Sequence, residues 1–236
     1  MRLDEAVVKR GFTNSRNKAK ELIKNAKVRL NGKIVTKPSL NTEESDDIEI
    51  LEDKIYVSRA ALKLKSYLDK YNINFENKKV LDIGASTGGF TEVSLEKGAK
   101  EVVAVDVGRG QLHFKLKNDK RVKSFEGMDF RDFECPEKFD VIISDVSFIS
   151  LLKLIHRIDE YAKSDIILLF KPQFEVGKEV KRDKKGVVLD KKAVETAKKN
   201  FENECKKLWR LVREEESALK GKEGNTEYIY HFKKEK

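Results

Sequence analysis

Hydrophobic and polar residues follow different patterns in the two parts of the chain, with a change near residue 55. Before it, short apolar groups are separated by many charged residues; after it, aliphatic runs alternate with amphipathic stretches. Such alternation predicts a mostly parallel α/β sheet with helices on both faces. Two late segments, 209–217 and 226–232, predict antiparallel strands at the sheet edge. We therefore predict two domains, 1–54 and 55–236.

Four strand-like segments carry the central part of the predicted sheet. They are 78–86, 101–107, 139–147 and 165–174. Apolar residues at helical spacing predict helices before, between and after these strands. The helical segments are 58–71, 90–98, 111–119, 151–163 and 191–208.

The first 54 residues predict a small α+β unit. A first short helix ends at Gly11, and either Ser15 or Thr13 caps a second. The buried stripe of the second helix has helical spacing and consists of Ala19, Leu22, Ile23 and Ala26. Asn31-Gly32 separates two apolar runs and favours a type I′ hairpin, and residues 46–52 supply another strand.

The charge of the chain is concentrated at its start. The formal net charge is +9, and residues 1–40 hold 11 Lys or Arg against three acids, whereas residues 41–53 hold seven acids. A basic module favours a polyanionic partner, nucleic acid or an anionic membrane surface. A lysine-rich soluble protein without such a partner has a similar composition.

Several function classes are disfavoured by what the sequence lacks. Two cysteines predict no disulfide framework and cannot form a four-Cys zinc site, and the three histidines are scattered, so we expect no metal. The start of the chain lacks the apolar core of a signal peptide. No run approaches 18 apolar residues, so we expect no membrane span and a cytoplasmic protein.

A glycine-rich turn follows the first strand of the predicted sheet. Val80 to Phe90 reads VLDIGASTGGF, a spacing that is neither the GxGxxG of dinucleotide-binding folds nor a P-loop. Asp106 follows the next strand, 22 residues after Gly84, where a carboxylate can accept both ribose hydroxyls of a nucleoside. The glycine-rich turn, the carboxylate of Asp106 and the order of the strands together favour S-adenosylmethionine over a dinucleotide.

The predicted cofactor-binding residues lie at the ends of successive strands. Asp129, in EGMDF, is placed to accept a hydrogen bond from the adenine amino group, although it is equally suited to capping a loop. The full set is Asp82, Gly84, Ala85, Ser86, Gly88, Gly89, Phe90, Asp106, Val107, Asp129 and Asp145.

Four further polar residues stand where ligands bind in open α/β sheets. Asp145 ends one strand in SDVSF and Lys171 ends the next in FKPQFE, where a buried ammonium would be costly without a function. Lys63, on the helix before the sheet, also fits a solvated face. Glu227, near a late strand, also fits an edge-strand charge.

Six sequence motifs, found in the same order along the chain, resemble those of a known family. IYVSRAALKL, VLDIGASTGGFTEVSL, DVGRGQLHFKL, SDVSFIS, LFKPQFEVGK and GNTEY resemble the hemolysin A (TlyA) family of rRNA 2′-O-methyltransferases over essentially the whole chain. Residues 2–39 are similar to the S-four-type RNA-binding domain, and the rest is similar to the FtsJ-like ribose methyltransferases. The sequence departs at Asn25-Ala26, where the family often has glycine, and at SRAAL, where SRGGL is commoner.

The resemblance implies a Rossmann-like methyltransferase fold and a Lys-Asp-Lys-Glu tetrad. The matching positions are Lys63, Asp145, Lys171 and Glu227. It further implies S-adenosylmethionine as cofactor and a cytidine ribose of ribosomal RNA as substrate. The short chain ends resemble a subtype associated with the large subunit.

The predicted mechanism needs one proton acceptor and good alignment. A ribose hydroxyl is a poor nucleophile, and burial beside the Lys63 cation would favour a neutral amine at Lys171 that can act as general base. Asp145 and Glu227 would orient the lysines and the hydroxyl.

Basic side chains are the expected contacts to ribosomal RNA or ribosomal subunits. We predict contacts from Arg2, Arg16, Lys18, Lys20, Lys24, Lys37 and Arg59. The lysine-rich segment 178–192 is a further RNA contact or a solvated loop. We expect a monomer. The alternatives are a pore-forming hemolysin, which the sequence disfavours, an assembly factor without methyl transfer, and a methyltransferase for small molecules or protein.

Overall fold

The structure, a computed structural model, describes residues 1–51 and 56–235. Within it, Met1–Val57 and Ser58–Lys236 form separate units, and each is described here by itself. The predicted boundary between residues 54 and 55 lies outside the described residues.

The N-terminal unit has the predicted order of two helices followed by short strands. They are α1 (Leu3–Lys9), α2 (Arg16–Lys24), β1 (Val28–Leu30), β2 (Lys33–Val35) and β3 (Ile48–Ile50). Strand β1 pairs antiparallel with both β2 and β3. The hairpin between β1 and β2 is confirmed, because Asn31 and Gly32 both take the positive φ of a type I′ turn, 50° and 77°.

The second helix has a side-chain cap at its start, and both helices are followed by a residue with left-handed backbone. Ser15, one of the two predicted caps, accepts a hydrogen bond from the Lys18 amide at 3.3 Å. After α1, Gly11 takes a φ of 78°. After α2, Ala26 occupies the same left-handed position with a φ of 57°, although glycine is preferred there.

The predicted apolar stripe of α2 is confirmed at three of its four positions. Ala19, Leu22 and Ile23 are buried and pack with Leu3 and Val7 of α1, whereas Ala26 is half-buried. The burial of these side chains stabilises a unit whose surface is otherwise highly charged.

The C-terminal unit is built on a seven-stranded sheet with the order β6-β5-β4-β7-β8-β10-β9. The strands are β4 (Lys79–Ile83), β5 (Glu101–Asp106), β6 (Val122–Glu126), β7 (Phe139–Ser144), β8 (Ala162–Phe170), β9 (Arg210–Glu216) and β10 (Tyr228–Lys233). Strands β4 to β8 pair in parallel, and β10 pairs antiparallel with β8 and β9. The predicted α/β sheet with its antiparallel edge is therefore confirmed.

The helices of this unit cover the sheet. They are α3 (Ala60–Tyr71), α4 (Gly89–Glu96), α5 (Phe114–Lys117), α6 (Ile155–Tyr161), α7 (Pro172–Glu175) and α8 (Lys191–Lys206), with a 3₁₀ turn at Leu151–Lys153. On one sheet face, alternate strand residues such as Leu81 and Ile142 join the main core with Phe201 of α8. On the other face, strand side chains contact α3 and α4.

Three predicted elements differ from the structure, and β6 was not among the four strand segments predicted. The helix expected at 151–163 is a 3₁₀ turn followed by α6, which ends at Tyr161 where β8 begins. The helix expected at 111–119 is only Phe114–Lys117, because the amides of Gln111 and Leu112 bond to the Glu126 carboxylate instead of continuing a helix. The strand expected at 165–174 runs over Ala162–Phe170, since pairing with β7 extends it at its start, and Pro172 begins α7 at its end.

Candidate active site

The carboxyl ends of β4, β5 and β7 meet where the strand order reverses, which is where open α/β sheets bind ligands. A cavity of about 670 Å³ opens at this point. A smaller one of about 170 Å³ adjoins it and reaches Ser58 and Lys171. The two share Gly84, Ser86, Asp145 and Ser147 as lining residues.

Most of the predicted cofactor-binding residues lie on these walls. The larger cavity is lined by Gly84, Ser86, Asp106, Val107, Asp129 and Asp145, and the smaller by Gly84, Ala85, Ser86, Gly89, Phe90 and Asp145. Asp82 and Gly88 do not line either cavity and lie behind the turn.

The glycines of the turn are required by close packing. A Cβ on Gly84, whose φ is 80°, would lie 3.0 Å from the Val146 side chain. A Cβ on Gly89 would lie 2.2 Å from Ser58 Oγ and 2.9 Å from the Ala61 amide nitrogen. The turn therefore brings backbone, not side chains, to the cavity.

Asp82 is a buried carboxylate behind this turn. It is fully buried, and its Oδ2 accepts a hydrogen bond from Thr91 Oγ1 at 2.6 Å. Its Oδ1 has no hydrogen-bond partner in the described structure. Burial raises the pKa of Asp82 to about 7, and the nearby Asp145 carboxylate adds to the effect. A cationic ligand group would remove this cost.

Asp106 is held rigidly at the cavity wall. Its Oδ2 accepts a hydrogen bond from the Ser86 amide at 2.8 Å, and its Oδ1 accepts one from the Gly108 amide at 2.6 Å. Each carboxylate oxygen retains capacity for a further donor, so both can still accept ligand hydroxyls.

Asp129 combines the two roles considered for it. It caps its loop by accepting a hydrogen bond from the Arg131 amide at 2.9 Å, and it also lines the larger cavity. The Arg131 guanidinium, 2.6 Å away, holds the pKa of Asp129 below its ordinary value. The carboxylate is therefore an ionised acceptor at the cavity wall.

The four tetrad positions form two buried ion pairs. Lys171 Nζ lies 2.6 Å from Asp145 Oδ1 and donates a hydrogen bond to Ser147 Oγ at 2.8 Å. Lys63 Nζ donates to Glu227 Oε2 at 2.5 Å. Both lysines are 8% exposed, which excludes the solvated-face interpretation of Lys63.

The second pair depends on how α3 packs against β10. Glu227 directly precedes β10, which lies between β8 and β9, so it is not an edge-strand charge. One turn along α3 from Lys63, the Tyr67 hydroxyl lies 3.1 Å from His231 Nδ1, and His231 Nε2 lies 2.9 Å from Asp165. These contacts fix the face that α3 presents to the sheet.

Two residues of the SDVSF motif were missed from the sequence. Ser147 contacts Lys171 and lines both cavities. Phe148 lines the larger cavity with its ring 91% exposed and its φ at 65°. The signal available was their position two and three residues after Asp145.

The predicted RNA-contacting residues have different environments in the N-terminal unit. Arg2 and Arg16 bond the fully buried Asp4 carboxylate, and Lys20 Nζ lies 4.0 Å from it. Burial alone would raise the pKa of Asp4, but the bonds from the two arginines hold it below its ordinary value. Lys18 donates to the Tyr56 carbonyl oxygen.

The remaining predicted contacts are exposed. They are Lys24, Lys37 and, in the C-terminal unit, Arg59. Among residues 1–51 and 56–235, no three His, Cys, Asp or Glu side chains are grouped so that they could hold a metal ion. None of the helices described here is both long and apolar enough to span a membrane.

Comparisons with known proteins agree with this geometry. Residues 56–234 match the family model described as FtsJ-like methyltransferase, and residues 1–48 match the S4 domain. The Campylobacter jejuni 23S rRNA (cytidine-2′-O)-methyltransferase TlyA is 47% identical, with 98% of this chain and 99% of the relative aligned. Hemolysin A of Brachyspira hyodysenteriae is 41% identical, with 98% and 99% aligned.

A solved structure extends the match to three dimensions. A Streptococcus thermophilus protein named as a hemolysin superposes with a TM-score of 0.73 at 33% identity, covering 99% of this chain and 88% of that one. The chain therefore belongs to the FtsJ-like methyltransferase family and groups with its TlyA members, which align with it from end to end.

Proposed function

We propose that this protein transfers a methyl group from S-adenosylmethionine to a ribose 2′-hydroxyl of ribosomal RNA. The observation that carries the proposal is the buried Lys171–Asp145 contact, because both residues line the smaller, glycine-lined cavity. A second buried pair, Lys63–Glu227, lines neither cavity and joins α3 to the start of β10. The name of the Campylobacter jejuni relative supports a cytidine of the large-subunit RNA. Such a substrate places the reaction in the cytoplasm.

The residues around the larger cavity fit S-adenosylmethionine. Its volume is within the range of small-molecule sites. Asp106 would hold the ribose hydroxyls and Asp129 the adenine amino group. The buried Asp82 carboxylate, behind the turn, would favour the cationic methionine end by its charge without touching it. When bound, this cofactor supplies a methyl group already activated by its sulfonium.

The protein then has to move one proton and align the hydroxyl. In the proposed step, the neutral amine of Lys171 takes the proton of the 2′-hydroxyl and becomes an ammonium, which the Asp145 carboxylate stabilises 2.6 Å away. Release of that proton to water restores the amine for the next turnover. The Lys63–Glu227 pair would position the ribose.

The contacts of Lys63 and Lys171 weaken the reason we gave for a neutral amine at Lys171. We predicted that the Lys63 charge would favour a neutral amine, but Lys63 is compensated by Glu227 and Lys171 itself by Asp145. What supports Lys171 as the proposed base is its position on the smaller cavity, beside the carboxylate that would hold the ammonium formed in the step.

The basic N-terminal unit and the segment 178–192 are the proposed RNA contacts. In the segment, Arg182 donates to the carbonyl oxygens of Gly177, Lys178 and Val180, and Asn225 bonds to the backbone of Gly186 and Val188. These bonds give the segment a defined shape and hold it to Asn225, two residues before Glu227 in the sequence. Its exposed lysines can contact phosphates, which position RNA without reading its sequence.

The experiment is methyl transfer from labelled S-adenosylmethionine to separated rRNAs and assembled subunits, followed by mapping of ribose methylation. We expect Lys171→Ala to lower kcat by at least about 100-fold while cofactor and RNA still bind, since general bases contribute about 10²–10⁴-fold. The matched control is Lys100→Ala, at an exposed lysine before β5.

Two results would contradict the proposal. Normal transfer by folded Lys171→Ala protein would remove the role given to that amine. Wild-type protein that binds RNA and subunits but neither binds the cofactor nor transfers methyl groups would instead be an assembly factor.

A further inference from the structure

The loop after β7 is fastened to the segment after β8 at three successive points. At the first, Lys171 Nζ donates to Ser147 Oγ at 2.8 Å. At the second, the rings of Phe148 and Phe174 lie 5.1 Å apart. The third point involves Glu175, and it lies farthest from the cavities.

Glu175 bonds the loop through both of its carboxylate oxygens. Oε2 accepts a hydrogen bond from Ser150 Oγ at 2.6 Å, and Oε1 accepts one from the Leu151 amide at 2.8 Å. Burial raises the pKa of Glu175, and Cys205 of α8 is a titratable group close to it. Burying a carboxylate is unfavourable, so these two bonds are needed to hold it there.

Glu175 lines neither cavity, so it does not act by touching a ligand there. Its effect has to pass through the loop. The loop itself is under strain, because Phe148 takes a φ of 65°, which is unfavourable for a bulky side chain. Phe148 is 91% exposed, so its contact with Phe174 buries too little surface to hold the backbone in place by itself.

We propose that Glu175 is a positioning residue for the lysine at the end of β8. By holding Ser150 and Leu151, it holds the backbone that carries Asp145 and Ser147, the two residues whose oxygens surround Lys171 Nζ. The inference rests on the proposed roles of Asp145 and Lys171. It adds a residue outside the tetrad whose loss should slow the reaction without weakening cofactor binding.

Glu175→Gln tests this with almost no change of shape. In one orientation the glutamine oxygen still accepts from the Leu151 amide and its NH2 donates to Ser150 Oγ. Both contacts then remain, but they lose the strength that the charge of the carboxylate gave them. We expect kcat to fall about tenfold, because small misplacements of catalytic groups cost about that much or more. The KM for S-adenosylmethionine should change less than about twofold.

Ser150→Ala is the second variant. It removes one of the two bonds to Glu175, together with the bond that Ser150 Oγ accepts from the Leu152 amide at 3.2 Å. We expect a smaller fall in kcat, and we expect the double variant Glu175→Gln/Ser150→Ala to be no slower than Glu175→Gln, since the residues act through one contact. The matched control is Asp140→Asn: the Asp140 carboxylate also accepts a backbone hydrogen bond, from Lys79, but at the opposite end of β7.

The outcomes separate this inference from the function on which it rests. If folded Glu175→Gln keeps the wild-type kcat, or if it loses only thermal stability, as Asp140→Asn would, Glu175 is structural and the inference is wrong. If Glu175→Gln does not fold, the kcat of Ser150→Ala decides in the same way. A fully active Lys171→Ala protein would overturn the proposed function itself. If Lys171→Ala is inactive while Glu175→Gln has the kcat of the wild type, only the inference is overturned.

Discussion

Replacing Asp82 by asparagine should make the protein without cofactor more stable and weaken its binding of cofactor. The wild-type carboxylate is fully buried, with one hydrogen bond from Thr91 and an unpartnered second oxygen. Asparagine keeps the size and an acceptor for Thr91 but cannot carry the charge. The two properties should therefore change in opposite directions.

The size of the stability effect follows from the raised pKa. The folded protein holds the Asp82 proton up to about pH 7, whereas an unfolded chain releases it near the ordinary value of 3.8. The folded state therefore loses stability as pH rises between these values and loses no more above them. At 1.36 kcal/mol for each pKa unit, the full cost is about 4 kcal/mol. About 3 kcal/mol of it arises above pH 5.

Denaturant unfolding of both proteins at pH 5 and pH 8 measures this effect. Other titrating groups contribute equally to both, so the difference between their pH dependences isolates Asp82. We expect the wild type to lose about 3 kcal/mol more than Asp82→Asn between the two pH values. Calorimetric titration with S-adenosylmethionine at pH 8 should show a Kd at least about tenfold weaker in the variant, because the variant lacks the negative charge that would attract the cationic end of the cofactor.

The control is Asp140→Asn, a carboxylate variant far from the turn, which should leave the Kd for the cofactor unchanged whatever it costs in stability. The reasoning is refuted if Asp82→Asn has the same pH dependence of stability as the wild type. It is also refuted in its functional part if the variant binds the cofactor as tightly as the wild type does.

Two further predictions concern the N-terminal unit. Ala26→Gly should raise the free energy of unfolding by about 0.5–1 kcal/mol, because Ala26 has a φ of 57° that glycine adopts without strain. Thermal unfolding of residues 1–57 in the full chain checks this, and a lower midpoint would contradict it. The double variant Lys24→Ala/Lys37→Ala should weaken RNA binding and reduce the slope of log K against log salt by about 1–2. The control Glu21→Ala, at an exposed acid of α2, should do neither. An unchanged slope in the double variant would remove both lysines from the interface.

The choice of lysines in that last prediction depends on a contact that the sequence does not reveal. Arg2 and Arg16 together compensate the buried Asp4, so removing either would leave the carboxylate with only part of its compensation and destabilise the unit. A loss of RNA binding in those variants would then have two causes. Sequence patterns do not identify which charges of a basic module are already paired within it.

Elements governed by local chemistry were predictable. The hairpin follows from Asn31-Gly32, the parallel pairing of the central sheet from alternating apolar runs, and the position of Asp106 from its distance to Gly84. In each case the cause lies within a few residues, or in the rule that parallel strands end at one edge.

Contacts between distant segments were not predictable. Ser150 and Glu175 are 25 residues apart. Both lie in quoted motifs, SDVSFIS and LFKPQFEVGK, but nothing in those motifs indicates that the two side chains meet. The left-handed Ala26 contradicts local preference and is held by the bonds that close the end of α2. The grouping of the tetrad into two pairs, rather than one cluster of four charges, depends on the docking of α3 against β10.

That docking also determines when the site can form during folding. Lys63 and Glu227 are 164 residues apart in the chain, and so are Tyr67 and His231. Closing so long a loop costs more entropy than pairing neighbouring strands, and little is gained until β10 has inserted beside β8. A folding chain can therefore complete its glycine turn and parallel strands early while its Lys63–Glu227 contact is still unformed, so the capacity to hold a nucleoside cofactor precedes the capacity to act on RNA.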